Sequence, residues 1–255
     1  MLRAQRPALT YVSAPEPAAV IRAAAGRIGA MLVEVPGSVN IDARREQGAA
    51  GQLLKLVTGR RTYDLRLRLG GRHQAENVSL AVCAAETLAE EGWQRVDRAA
   101  IERGVAACRW PGRLEWIRTS RGDVLLDAAH NGAGVASLAA YLSELGQPFT
   151  LLFGMLASKV DRAALRALFA MAGDVVLTAA PSPRGLSPQE LARQVGAEGA
   201  EALLDPSEAL AHALKRAGGD LVVVSGSIYL VGAVRADLRR RFGVPPAAER
   251  IFGDA

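Results

Sequence analysis

The sequence predicts an α/β protein, with a Rossmann-like, doubly wound, mostly parallel sheet in its C-terminal part. Three observations predict it. From residue 123 onward, short apolar runs alternate with helical patterns, the signature of parallel βαβ units. The breaker Trp110-Pro111-Gly112-Arg113 separates that regime from the one before it. The run Val124-Leu125-Leu126 passes at once into Asp127, His130 and Asn131. Polar side chains therefore gather at the carboxyl end of a buried strand, the edge where open α/β sheets bind ligands.

Taken in order, residues 7–12 read as a strand. Ser13-Ala14-Pro15-Glu16-Pro17 reads as a helix start, with Ser13 as its cap. An Ala-rich helix over 18–29 and a strand over 30–35 complete a βαβ unit. A lone parallel strand is normally interior. Sequence upstream of it is therefore expected, as is exposed apolar surface on the first 70 residues. Residues 36–51 are polar and loop-like. Residues 53–57 and 62–69 alternate as paired strands around Thr58-Gly59-Arg60-Arg61. Gly70-Gly71-Arg72-His73-Gln74 breaks that pattern, and a helix is expected over 75–91, ending at Gly92. A second helix over 97–107 takes Asp97 as its cap.

Past the breaker, strands at 114–119 and 123–126 flank Ser120-Arg121-Gly122. Further strands are expected at 149–153, 174–178, 202–204 and 221–224. Helices are expected at 133–145, 160–171, 187–195, 206–217 and 228–241, with 245–250 as a frayed tail. The domains implied are 1–113 and 114–255.

Composition narrows the class. Of 255 residues, 50% are hydrophobic and only 5% aromatic, so the core is built of Leu, Val and Ala. The net charge is +5, but the arginines are scattered without an aromatic platform, which argues against nucleic acid. Cys83 and Cys108 stand in no metal or disulfide spacing, and Cys83 reads as a small buried apolar residue. With no signal peptide and no bilayer-spanning run, the expected setting is the cytoplasm, away from membranes.

Several residues can carry chemistry. Asp127 can bind ribose hydroxyls or a metal, and His130 can orient a phosphate or carboxylate. Both equally suit a plain turn, in which Asp127 caps the next helix and His130 and Asn131 tolerate unusual backbone angles. Gly71-Arg72-His73-Gln74 and Asn77 enter a helix whose free N–H groups suit an anion or a purine edge. Ordinary capping explains them too. Arg113 follows Pro-Gly, where its forked donors can reach a phosphate across a cleft, or simply lie exposed. Lys159 and Arg184 follow successive strands, and two cations beside Asp127 and His130 point to an anionic substrate. Ser225-Gly226-Ser227 permits close backbone approach but is neither a dinucleotide fingerprint nor a nucleophile elbow. No Gly-x-x-x-x-Gly-Lys-Ser/Thr phosphate loop occurs anywhere.

In order, these stretches resemble the folylpolyglutamate synthase/dihydrofolate synthase family of the Mur ligase superfamily. The matching pieces are Gly71-Arg72-His73-Gln74-Ala75-Glu76-Asn77, Pro111-Gly112-Arg113-Leu114-Glu115 and Leu126-Asp127-Ala128-Ala129-His130-Asn131. Gly154-Met155-Leu156-Ala157-Ser158-Lys159, Pro183-Arg184-Gly185-Leu186 and Ser225-Gly226-Ser227-Ile228-Tyr229 follow. The resemblance implies an ADP-forming ligase that joins L-glutamate to a pteroate or folate carboxylate through an acyl phosphate, using ATP and Mg²⁺. It implies that Asn77 contacts adenine, Arg113 the ATP phosphates and Asp127 the ribose, with His130 beside the nucleotide. Lys159, Arg184 and Ser227 fall on the glutamate or domain-closure side, with His130, Lys159 and Arg184 as the catalytic candidates.

The same resemblance makes 1–113 the tail of a P-loop-type α/β ATPase domain, and 114–255 the glutamate ligase domain. The phosphate loop, the Mg²⁺ ligands and most of the pterin pocket belong to family sequence before the matched region, so no metal ligand is expected in this chain. The family's Lys-Asp pair is interrupted by Val160, which puts Asp161 one place late. The expectation is a monomeric, truncated ligase whose residues 1–255 make no ADP on their own. The alternatives are a non-catalytic nucleotide-binding or regulatory remnant, and an unrelated small Rossmann-type binder, which lacks its glycine fingerprint.

Overall fold

The computed structural model describes residues 2–45 and 51–243. The chain divides into two compact units, Met1–Cys108 and Arg109–Ala255.

In the first unit, β1 (Pro7–Thr10), α1 (Pro15–Ile28) and β2 (Met31–Glu34) form the expected βαβ element, with the strands parallel. The helix is capped by Ala14 rather than Ser13 and makes no side-chain cap bond. Pro15 needs none, because a proline in the first turn has no N–H to satisfy. The segment read as loop contains a strand, β3 (Asn40–Arg45), antiparallel to β4 (Gln52–Val57), which pairs with β5 (Thr62–Leu67). Only Ile41 of β3 packs on the core, so the strand lacked an apolar alternation to announce it. The rest of that expected loop, 46–50, lies outside the described residues, as does the expected tail at 245–250.

Leu54, Leu56, Tyr63, Leu65 and Leu67 pack against Ala75, Val78 and Val82 of α2 (Arg72–Glu90) and Ile101 of α3 (Arg98–Ala107). Each fully buried Leu of this kind contributes about 1.5–3 kcal/mol. Helix α2 begins three residues before the expected start, because Gly71 at φ +86° turns the chain directly into it. The Asp97 cap is present, accepting from Ala100 N at 2.7 Å.

The second unit is the doubly wound sheet. Its strands are β6 (Glu115–Thr119), β7 (Gly122–Leu126), β8 (Phe149–Phe153), β9 (Asp174–Thr178), β10 (Glu201–Leu203) and β11 (Leu221–Ser225). The spatial order is β10-β9-β8-β11-β7-β6, parallel throughout except for β6 against β7. Alternate side chains go to opposite layers. Leu125, Leu151, Phe153, Leu177 and Val223 meet α4 (Gly132–Leu145), α5 (Arg162–Phe169) and α6 (Pro188–Val195). Val124, Leu126, Leu152, Val176, Val222 and Val224 meet α7 (Pro206–Ala217) and α8 (Ile228–Phe242). The helix expected over 160–171 is instead a 3-10 turn, Ala157–Lys159, followed by α5, because Asp161 caps a fresh start by accepting from Ala164 N at 3.1 Å.

This winding fixes where ligands can sit. Neighbours β7 and β11 run in parallel, yet α4 leaves β7 toward one layer and α8 leaves β11 toward the other. Their loops part at the carboxyl edge, the topological switch point of such a sheet. No helix among the described residues is long and apolar enough to cross a membrane.

Candidate functional site

Asp127 stands at the end of β7, 5% exposed. Its Oδ2 accepts from Leu114 N at 3.0 Å and its Oδ1 from Ala129 N at 2.9 Å. The carboxylate therefore ties two turns together: its own loop and Pro111-Gly112-Arg113-Leu114. A second strut joins them, from Ala128 N to Gly112 O at 2.8 Å. Leu114 is buried at φ +45°, a left-handed backbone that L side chains seldom adopt. Such strain persists where surrounding bonds over-determine it, and it clusters at functional sites.

His130 Nδ1 donates to Ala128 O at 2.9 Å, which fixes the ring and leaves Nε2 to meet a ligand. Asn131, and not Asp127, caps α4, its Oδ1 accepting from Gly134 N at 2.8 Å, because Asn131 is the last residue before the helix while Asp127 already accepts from Leu114 and Ala129. Ser227 is buried and caps α8, accepting from Tyr229 N at 3.2 Å. Gly226 at φ +104° packs so tightly that a Cβ there would lie 2.6 Å from Gly154 O.

These loops form one hydrogen-bonded rim. Gly226 N donates to Ala129 O, and Gly154 N to Ser225 O. Ala157 N donates to Arg184 O and Leu186 N to Met155 O, zipping the loop after β8 to the loop after β9. The structure thus brings Arg113, Asp127, His130, Lys159, Arg184 and Ser227 onto connected turns of one sheet edge. Lys159 and Arg184 are exposed and Arg113 half-buried, and none of the three pairs with an acid among the described residues. The exposed ring of Trp110 stands 5.8 Å from the Arg113 guanidinium. Three uncompensated cations on one rim suit an anionic ligand.

Asn77 belongs to the first unit. It lies on the exposed side of α2, its Nδ2 donating to Gln74 Oε1 at 3.3 Å. The turn that starts α2 is held by buried Gln52, whose Nε2 donates to Leu69 O at 2.9 Å and Gly71 O at 3.1 Å.

Three features gave no sequence signal. One is the left-handed backbone at Leu114. Another is the ion pair of Glu115 with Arg235, 2.9 Å and 120 residues apart. The third is the Ser225 hydroxyl, fully buried at the rim without a hydrogen-bond partner among the described residues. Among the described residues, no group of three or more His, Cys, Asp or Glu side chains stands where it can hold a metal ion.

Known proteins resemble this chain in sequence and in fold. Residues 112–228 match the family model "Mur ligase, glutamate ligase domain". The folylpolyglutamate synthase of Lacticaseibacillus casei is 30% identical over 237 residues, covering 91% of this chain and 54% of that protein. A dihydrofolate synthase/folylpolyglutamate synthase of Mycobacterium tuberculosis is 35% identical over 215 residues, covering 75% of this chain and 44% of that protein. Among solved structures, Mycobacterium tuberculosis folylpolyglutamate synthase complexed with ADP and AMPPCP superposes with a TM-score of 0.79 at 28% identity. That match covers 90% of this chain and 54% of the other. The chain spans about half the length of the curated relatives it matches.

Proposed function

Since this chain belongs to the folylpolyglutamate synthase/dihydrofolate synthase family of Mur ligases, we propose that it serves an ATP-dependent ligation of L-glutamate to a pteroate or folate carboxylate. In this reading, residues 1–113 are the last part of the ATPase domain and 114–255 the glutamate ligase domain. ATP supplies the activation, turning the acceptor carboxylate into an acyl phosphate that the amine of glutamate attacks.

The chain's own residues orient and neutralise. Arg113 meets phosphate oxygens with its forked donors. Asp127 meets the ribose hydroxyls while its carboxylate holds the Arg113 turn. His130 offers Nε2 to the nucleotide, and Asn77 offers its amide to adenine. Lys159 and Arg184 lie along the rim for the carboxylates of glutamate, with Ser227 closing the helix start beside them. Fixed groups of this kind accelerate a reaction by positioning and by stabilising developing charge. In this reading Mg²⁺ would add charge neutralisation at the phosphates, beside that of the chain's own cations. The working form in this reading is a monomer in the cytoplasm.

The observation that carries the reading is the row of unpaired cations at a switch-point edge beside Asp127 and His130. Titration of the 255-residue chain with ADP, followed by amide chemical shifts, tests it. Shifts are expected at Arg113, Asp127, His130 and Asn77. Their absence at millimolar ADP would sink the reading. Because the sequence holds no phosphate loop, ATP turnover by these residues alone is expected at background.

A further inference from the structure

The turn that carries Arg113 is held from two sides. From the sheet, Leu114 N donates to Asp127 Oδ2 at 3.0 Å and Gly112 O accepts from Ala128 N at 2.8 Å. From α8, Arg235 Nε donates to Glu115 Oε1 and Oε2 at 3.0 and 2.9 Å. Glu115 Oε2 accepts in turn from Gly112 N at 2.8 Å. The ion pair is mostly buried, with side chains 14% and 20% exposed. Gly112, at φ +70°, lies so close to α8 that a Cβ would come within 2.8 Å of the Val231 side chain.

These contacts hold the backbone at Gly112 and Leu114, on either side of Arg113, whose guanidinium stands 5.8 Å from the Trp110 ring. We propose that Arg235, acting through Glu115, is a positioning residue for Arg113. Nothing in the family motifs reaches Arg235, since the last of them ends at Tyr229.

The physical argument is one of preorganisation. Glu115 bonds a backbone N–H in a tight turn, and without a counter-charge its buried carboxylate would turn to water. Arg235 holds it in the rotamer that keeps Gly112 in place. Gly112 and the strained Leu114 bracket Arg113, so fixing both sets the direction in which the guanidinium leaves the turn. A cation already aimed at its anion avoids the ordering cost of finding it. Helix α8 also starts at the Ser227 cap, so one rigid element supports both the Ser225-Gly226-Ser227 turn and the Arg113 turn.

This inference rests on the phosphate role proposed for Arg113, and the test separates the two. ADP affinity of the full chain is measured for Arg113→Ala, Arg235→Gln, Arg235→Lys and Arg216→Gln. Hydrogen exchange at the Gly112 amide is followed in parallel. Arg216→Gln is the control, removing an ion pair to Asp174 at the opposite edge of the sheet. Arg235→Gln is expected to speed Gly112 exchange and to weaken ADP binding about tenfold, approaching the loss in Arg113→Ala. Arg235→Lys recovers part of that loss, and the control binds as wild type. If Arg235→Gln folds poorly, Glu115→Gln gives a smaller loss of the same sign. ADP affinity unchanged in Arg235→Gln but lowered in Arg113→Ala overturns the inference alone. Affinity unchanged in Arg113→Ala overturns the phosphate role and the inference with it.

Discussion

Replacing Asp127 by Asn is the sharpest probe of the rim. The side chain is 5% exposed, and each carboxylate oxygen accepts a backbone N–H, from Leu114 at 3.0 Å and Ala129 at 2.9 Å. Asparagine keeps one acceptor and points an NH₂ group at the other N–H. One hydrogen bond to a charged group is lost, worth about 1.5–3 kcal/mol, and a buried N–H is left without a partner. The expected cost is therefore about 2–4 kcal/mol, a large share of the roughly 5–15 kcal/mol that holds a typical domain together. Urea unfolding followed through Trp110 and Trp116 fluorescence measures it in the second unit. Asp127→Ala, which removes both acceptors, is expected to cost more. A midpoint for Asp127→Asn within experimental error of wild type would show that this carboxylate does not hold the two turns, and the account of the rim would fail.

Three further outcomes are expected. Gly226→Ala should lower stability by about 3 kcal/mol, because the new Cβ meets Gly154 O at 2.6 Å on a backbone at φ +104°; a melting temperature within a degree of wild type would contradict it. Burial and the neighbouring Glu86 push the Tyr63 hydroxyl up to about 12. The folded state then keeps a proton that the unfolded chain releases near pH 10, so stability falls as pH rises from about 10 to 12. Absorbance titration should show a tyrosine that titrates at about 12 and is missing in Tyr63→Phe. The Arg216 guanidinium holds the Asp174 carboxyl below its usual range. The pair's contribution is complete above the unfolded aspartate value, near pH 4, and is lost as pH falls through the lower folded value. Arg216→Gln should accordingly lose stability at pH 7 but match wild type in strong acid, as read by urea midpoints across pH.

The sheet of the second unit was legible because each strand is a short apolar run ending in turn residues. Val222, Val223 and Val224 announce a strand buried on both faces without help from any other part of the chain. Asp127 and His130 were legible for the same local reason, as polar residues abutting such a run. The features that stayed hidden depend on partners distant in sequence. Strand β3 shows an outer face of polar residues and owes its conformation to pairing with β4. Arg235 looked like one more surface arginine until the fold carried Glu115 to it. The backbone at Leu114 had no cue, because leucine does not signal a left-handed turn. The start of α5 was misplaced because Asp161 reads as part of a continuous helical pattern until its capping bond is seen.

The position of β11 has a consequence for synthesis of the chain. Among the described residues it is the strand made last, yet it sits between β8 and β7, and neither of them pairs with the other. Until residue 225 has left the ribosome, the nascent sheet remains two separate ribbons with raw edges along its future middle. Insertion of that strand is a long-range pairing step, the slow and aggregation-exposed kind. A ribosome stalled short of it would therefore release a product prone to self-association, with the carboxyl edge never assembled.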